Sequence, residues 1–406
     1  MNDNVLKGVL IFMVIDGNWA GRLGPGGQGV VGMLFTIPFI LLSALAGCLA
    51  DRVSKTTVTR IVKAAEIPIA ALAGFGFYFG SLPLTLLALV LLTCQSAFFG
   101  PAKYGMIPEL VADGKLSKAN GTINMMTNLA VIFGTLLSGT IADAYAPLDA
   151  AATPSPASPA IAMVVIAGLG FLAAGFLPRL RPMNPAASLD VNPLDNYWRV
   201  MREMSKTRLL LVMLAWGYFY LLAGIALFIL PEYTLVLGID RASASVLMGV
   251  LGVSVGVGCA VAGAISGDAI RPKLVPWGAA GLTVFFALLG VVPPSLGFGD
   301  GMAAVATSNV AGLVTGAGLA AGFYIVPLQA LLQKLSPDDQ RGRYLGTANA
   351  VSFAFMTLAA GLYFVIRPIF GNHPERIFVL CAALMAAGAG VLLWALQRRG
   401  GIPSTV

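Results

Sequence analysis

FFGPAKYGMIPELVADGKLSKANGTIN, residues Phe98 to Asn124, is the most polar and least repetitive run between two long apolar segments of this chain. Gly100-Pro101 ends one hydrophobic span. Lys103 and Tyr104 stand where the chain leaves the apolar phase, a short charged loop follows, and Gly121 begins the return. A later stretch, Phe323 to Asn349 (FYIVPLQALLQKLSPDDQRGRYLGTAN), echoes it. Lys-Leu-Ser at 115 to 117 recurs at 334 to 336, and Gly-Thr-x-Asn recurs with its first glycine at 121 and then at 346. A repeat separated by about half the chain predicts two parallel six-helix halves.

Composition points the same way. The 406 residues are 58% hydrophobic and 11% charged, and apolar runs of about 20 residues recur, the length that crosses ~30 Å of hydrocarbon as a helix. The expected fold class is an all-α polytopic membrane protein. A closed β-barrel needs alternating segments of about ten residues, and none is visible. The net charge of +7 calls for no nucleic-acid partner, because the basic residues sort by topology. With the central linker inside, twenty lie in loops and tail on that side, against Arg22, Arg241, Arg367 and Arg376 on the other. Both termini are therefore expected in the cytoplasm. Cys48, Cys94, Cys259 and Cys381 sit singly in apolar stretches with no redox or metal-ligand spacing. They are expected to be packing residues, with no metal and no cofactor.

Along the chain, Met1 to Ile15 offers only about a dozen apolar residues, roughly half a span, so the first of twelve spans is expected to be truncated, either because the start lies too far downstream or because the first half-helix is absent. A glycine-rich turn covers Asp16 to Gly29. Spans follow at about 30–50, 61–79, 83–104, 123–144 and 160–177, with a proline-rich loop at 147–159. Residues 179–208 form the longest polar segment, and its Tyr197-Trp198 portion is expected to lie as an interfacial helix, aromatic side down. Spans 7 to 12 are expected at about 209–231, 243–266, 274–292, 303–331, 344–366 and 376–396. The domain division is thus 1–178, a cytoplasmic linker 179–208, and 209–406.

Candidate chemistry is sparse. Gly47-x-x-x-Asp51-Arg52 matches the inner-loop signature of the major facilitator superfamily, and Gly267-Asp268-x-x-Arg271 is a weaker counterpart in the second half. A carboxylate beside a helix end and a guanidinium could lock one conformation and release it in another, which makes Asp51, Arg52, Asp268 and Arg271 gating candidates; ordinary topology charge is the alternative. Ionisable residues within the bilayer are functional candidates by default. Asp3 and Lys7 are one turn apart and share a face, as do Lys63 and Glu66. Lys103 could reach toward an anionic group or snorkel to the headgroups. Glu232 is expected to be solvated at the outer end of span 7. Gln95, Asn124, Asn128 and Asn349 are expected to join helices by hydrogen bonds, and Trp216, Tyr218 and Tyr220 to pack.

At Pro101-Ala102-Lys103-Tyr104-Gly105, Lys118-Ala119-Asn120-Gly121 and Val326-Pro327-Leu328-x-Ala330-Leu331-Leu332-Gln333, the chain resembles the lysophospholipid transporter family of the major facilitator superfamily. The resemblance runs over essentially the whole chain, more strongly in the first half. That family's span 1 carries Phe-x-Asp-Asn; here Asn2-Asp3-Asn4 follows Met1. The resemblance implies a monomeric transporter that flips lysophosphatidylethanolamine and lysophosphatidylglycerol from the outer to the inner leaflet of a bacterial inner membrane. A separate acyltransferase would then re-acylate them. It places Asp3 and Asn4 in the headgroup cavity with Lys103 nearby, and Lys7, Glu66 and Tyr104 complete the expected substrate-binding set. Such a cavity suits a ligand with an anionic phosphate, often a cationic amine, and one acyl chain. One departure is the lack of a basic residue between Trp216 and Pro231, where the family's span 7 carries one.

Two other classes compete. A proton-coupled exporter of amphipathic drugs also needs buried carboxylates beside an apolar cavity, and Asp3 and Glu66 satisfy that; only the family-specific runs argue against it. A glycerolipid acyltransferase needs His-x-x-x-x-Asp, the histidine acting as general base. The single histidine, His373, has Phe378 at that position, so an enzyme of that kind is not expected.

Overall fold

The computed structural model describes residues 1–110, 116–147, 151–182, 193–266, 270–337 and 341–398. Among them every regular element is helical, the arrangement in which a chain satisfies its own backbone hydrogen bonds without water. The first seven helices are α1 (Asn2–Ile15), α2 (Gln28–Arg52), α3 (Lys55–Tyr78), α4 (Leu82–Gly105), the short α5 (Ile107–Leu110), α6 (Leu116–Tyr145) and α7 (Ser158–Gly175). Then follow α8 (Pro193–Ser205), α9 (Leu209–Ile229), α10 (Tyr233–Leu237), α11 (Arg241–Ser266), α12 (Leu274–Val291), α13 (Gly301–Ala306), α14 (Asn309–Leu335), α15 (Arg341–Ile366) and α16 (Ile377–Arg398). Nine helical stretches among the described residues are long and apolar enough to cross a membrane; α1, α2 and α6 occupy the places of the other three expected spans. Pro38, Pro68, Pro101 and Pro327 lie inside helices. Membrane helices tolerate this where hydroxyls and neighbouring helices take up the freed backbone groups.

The chain forms two compact units: Met1–Leu23 with Val31–Asn196, and Gly24–Val30 with Tyr197–Val406. In the first, α1 packs on α6, α4 and α7, and α3 packs on α4 and α7. Val5, Leu6, Leu10, Phe12 and Met13 of α1 are buried, and Gly8 lets the helix approach Ser138 so closely that a Cβ would stand 2.2 Å from its Oγ. The glycine-rich turn after α1 is anchored by Trp19. Its Nε1 donates to the Gly80 carbonyl at 3.1 Å, and its ring stacks on Phe77.

The second unit is built on α14, which packs against α11 and α12, while α9 packs against α15 and α12 against α16. Close approach here follows from glycine. Gly318 and Gly322 lie one turn apart on α14, facing Ser254 and Gly258 on α11; a Cβ on Gly322 would come within 2.1 Å of the Gly258 backbone. This is the small-residue spacing that brings membrane helices together.

Several expectations are corrected. Residues 303–331 are not one span: α13 stops at Ala306, and Ser308 caps α14 by accepting from the Ala311 amide at 3.0 Å. A serine hydroxyl that captures an orphan amide starts a new helix. The linker helix does form, as α8, but its aromatic residues diverge: Tyr197 is buried and Trp198 is 69% exposed, because neighbouring helical positions point about 100° apart. Glu232 is not solvated. At 2% exposure it accepts from Arg367 Nε at 2.5 Å, from Tyr363 at 2.6 Å, and from Gln28. A buried carboxylate persists only when paired and hydrogen-bonded, and Arg367, expected as an outer topology charge, supplies the pair.

Candidate functional site

In the first turns of α1, Asn2, Val5 and Leu6 are buried, while Asp3, Asn4 and Lys7 form a part-exposed stripe. This separates the polar residues of α1 into two jobs. Asn2 turns inward and donates through Nδ2 to Glu66 Oε1 at 3.0 Å and to the Met163 carbonyl at 2.9 Å. Glu66, 4% exposed, also receives Lys63 Nζ at 2.7 Å and Gln95 Nε2 at 3.4 Å. One carboxylate thus ties α1, α3 and α4 together, with α7 joined through Asn2.

The stripe of α1 lies beside this knot. Asp3 accepts from Ser96 Oγ at 3.4 Å, from the Asn4 amide at 2.9 Å and side chain at 3.2 Å, and from the Met1 amine at 3.1 Å. The one Ser96 hydroxyl proton is shared between the Asp3 contact and Gln95 Oε1 at 3.2 Å, which puts Asp3 next to the Glu66 cluster. Lys7 does not pair with Asp3; its Nζ reaches Asn4 Oδ1 at 3.4 Å and lies 4.5 Å from the Phe35 ring centroid. Asp3 and Lys7 share a face, as their spacing predicts, without meeting.

Lys103 belongs to the end of α4, before the helix closes at Gly105. Its Nζ donates to Thr127 Oγ1 at 3.1 Å and stands 4.4 Å from the Tyr104 ring and 5.8 Å from the Phe99 ring. Lys63 approaches the same Phe99 at 4.5 Å. Aromatic faces attract cations without cancelling their charge. Among the described residues, Lys7 and Lys103 therefore hold ammonium groups with a neutral amide or hydroxyl and aromatic faces but no carboxylate within ion-pair distance. Asp3, Asn4, Lys7 and Glu66 are brought together, and Lys103 with Tyr104 shares Phe99 with Lys63.

Of the expected gate, Asp268 and the Asp51 side chain lie outside the described residues, as do the Asn124 and Asn128 side chains, and Arg52 and Arg271 are exposed. Nearby in the first unit Lys55, at 5% exposure, pairs with Glu109 at 2.6 Å, and Arg60 donates to the carbonyls of Ala174, Gly175 and Leu177, closing the C-terminal end of α7. A guanidinium there satisfies orphan carbonyls and meets the negative end of the helix dipole. Sequence reasoning missed Asn2, Ser96, Thr127, Phe35 and Phe99 as partners of the site. For Phe99 the signal was its place one turn before Lys103. Trp216 and Tyr220 pack edge to face, and Tyr218 donates to the Leu384 carbonyl at 2.5 Å.

The sequence model of the Major Facilitator Superfamily matches residues 8–361. The fold agrees: a POT family transporter solved with 5-aminolevulinic acid superposes with a TM-score of 0.69 at 12% identity, covering 98% of this chain and 94% of that one. A D-xylose-proton symporter gives 0.62 at 15% identity, covering 96% and 93%. The chain is a multi-pass membrane protein that belongs to the major facilitator superfamily, a family of transporters rather than enzymes. Among its relatives is the lysophospholipid transporter LplT of Enterobacter sp. (strain 638), 30% identical over 391 residues, covering 92% of this chain and 87% of the relative. The transporter of the same name from Serratia proteamaculans (strain 568) is 28% identical over the same shares. Within the superfamily, the chain belongs to the lysophospholipid transporter family.

Proposed function

We propose that this protein flips lysophospholipids, chiefly lysophosphatidylethanolamine and lysophosphatidylglycerol, from the outer to the inner leaflet of a bacterial inner membrane. What supports this reading is the pair of ammonium groups, Lys7 and Lys103, which among the described residues have no carboxylate within ion-pair distance, with Asp3 one turn from Lys7 on the same helix face. A cation in an apolar setting that makes no direct ion pair is a waiting site for an anion. The phosphate of a lysolipid supplies that anion, and the amine of an ethanolamine headgroup would take Asp3, whose side chain is part-exposed. Asn4 orders the pair by bonding to both Asp3 and Lys7. Tyr104 holds Lys103 in place by its ring. Glu66 acts mainly by positioning α1, since it is already satisfied by Lys63, Asn2 and Gln95.

Transport proceeds by alternating access of the two halves, with Asp51, Arg52, Asp268 and Arg271 controlling the inner side. The protein works as a monomer with both termini in the cytoplasm, and an acyltransferase on another chain consumes the flipped lipid.

The test is uptake of labelled lysophosphatidylethanolamine into right-side-out vesicles carrying the full chain, beside uptake of a cationic amphipathic drug. Saturable lysolipid uptake supports the reading. Drug movement without lysolipid uptake sinks it in favour of an amphipathic drug exporter.

A further inference from the structure

Away from the site in the first unit, a cleft of about 660 Å³ opens in the second unit between α9, α12, α14 and α16. That volume lies within the ~300–1,000 Å³ of sites that enclose a small ligand. It exists because facing helices carry small residues: Ala279 and Ala280 on α12 face Ala386, Ala389 and Gly390 on α16, with Leu328 of α14 behind. Ala280, Ala386 and Gly390 are exposed at its mouth. The lining is apolar save for three side chains. Tyr324 donates its hydroxyl to the Ala215 carbonyl at 3.2 Å and Thr283 donates to the Ala279 carbonyl at 2.8 Å. Lys273, the third, has no hydrogen bond or ion pair among the described residues and stands exposed at the start of α12. Arg271, also exposed and without an ion pair among the described residues, precedes it, and Trp277, 76% exposed, follows one turn later.

We propose that this cleft holds the acyl chain of an anionic bilayer phospholipid, with its phosphate on Lys273 and Arg271 at the N-terminal end of α12. Charge complementarity selects the occupant. An apolar slot between membrane spans takes hydrocarbon, and two cations without an ion pair among the described residues, with the positive end of a helix dipole, take a phosphate. The basic residues of this loop sit on the side that the chain's charge asymmetry assigns to the cytoplasm, where anionic lipid and basic interhelical pockets meet. Trp277 stands where indole side chains favour the headgroup boundary. The proposal shares Arg271 with the proposed inner gate but does not rest on the transport reading.

Native mass spectrometry of the full chain, released from detergent with added phosphatidylglycerol or phosphatidylethanolamine, tests the proposal. One phosphatidylglycerol should remain on the protein at activation that strips phosphatidylethanolamine. The double variant Arg271→Gln/Lys273→Gln should weaken its retention about tenfold, the scale of lost charge-assisted phosphate contacts. Filling the cleft with Ala386→Leu/Ala389→Leu should displace it from protein that still elutes as a single folded species. Equal retention of the two lipids, retention unchanged in the charge variant, or retention unchanged in the folded filled variant would each overturn the site. If the filled variant does not fold, the charge variant alone decides.

Discussion

Glu66 shows how the bilayer shapes individual residues. A carboxylate at 4% exposure survives because Lys63 neutralises it and two amides complete its hydrogen bonds. Removing one partner of such a pair typically costs ~3–5 kcal/mol, whereas replacing both often costs little. Glu66→Gln should therefore lower the thermal unfolding midpoint in detergent sharply, and Lys63→Met/Glu66→Gln should recover most of it; a double variant as unstable as the single one refutes the structural role. Lys103 has the opposite character, with rings and one hydroxyl around it and no anion among the described residues. Lys103→Ala should reduce lysolipid uptake about tenfold or more, the worth of a charged hydrogen bond of ~1.5–3 kcal/mol, at unchanged membrane abundance. Asp3→Ala should spare lysophosphatidylglycerol uptake more than lysophosphatidylethanolamine uptake, since only the second carries an amine. The lysines and carboxylates were all visible in the sequence as expensive residues within apolar runs. Which of them were already paired was not, because Asn2 and Gln95 reach Glu66 from positions 64 and 29 residues away.

For helices, the deciding quantity is how closely two backbones approach. Gly322 faces the Gly258 backbone with no room for a side chain, while Gly312 has open space where a Cβ would stand. Gly322→Val should abolish folded protein or strongly lower its yield, and Gly312→Ala should be silent or slightly stabilising through helix propensity; size-exclusion chromatography separates the two outcomes, and a well-folded Gly322→Val protein would contradict the packing. Both glycines look alike in the sequence. The helices themselves were legible from apolar run length, and the observed ends of α12, 274–291, and of α9, 209–229, lie close to those expected. The break between α13 and α14 was not, because the polar Thr307-Ser308-Asn309 is too short to interrupt the averaged hydropathy of residues 303–331, and the Ser308 cap is a local choice that hydropathy does not register.

At the scale of the whole molecule, the echo of residues 98–124 in residues 323–349 agrees with a superfamily built on two related halves. If transport needs the halves to rock, disulfide crosslinks between cysteines placed at their inner ends should stop lysolipid uptake, and reduction should restore it; full uptake in the crosslinked state would exclude rocking. The charge asymmetry predicts that a C-terminal fusion to a fluorescent reporter glows while a C-terminal alkaline phosphatase fusion is inactive. The reverse pattern would overturn the orientation and with it the assignment of Lys273 to the inner leaflet.

The sequence by itself determined that the chain is helical and crosses the membrane many times, because bilayer thickness and the cost of unsatisfied backbone leave a long apolar run few alternatives. Its likeness to lysophospholipid transporters rested instead on the motif runs at Pro101–Gly105, Lys118–Gly121 and Val326–Gln333. The sequence also marked Asp3, Lys7, Glu66 and Lys103, since charge within an apolar run is conspicuous. Only the tertiary structure decided which charges are paired. Glu66 and Glu232 form direct ion pairs, and among the described residues Lys7 and Lys103 do not. Pairing inside a membrane depends on which distant side chains a fold brings within about 3 Å, and that distance is set by helix packing rather than by any spacing along the chain.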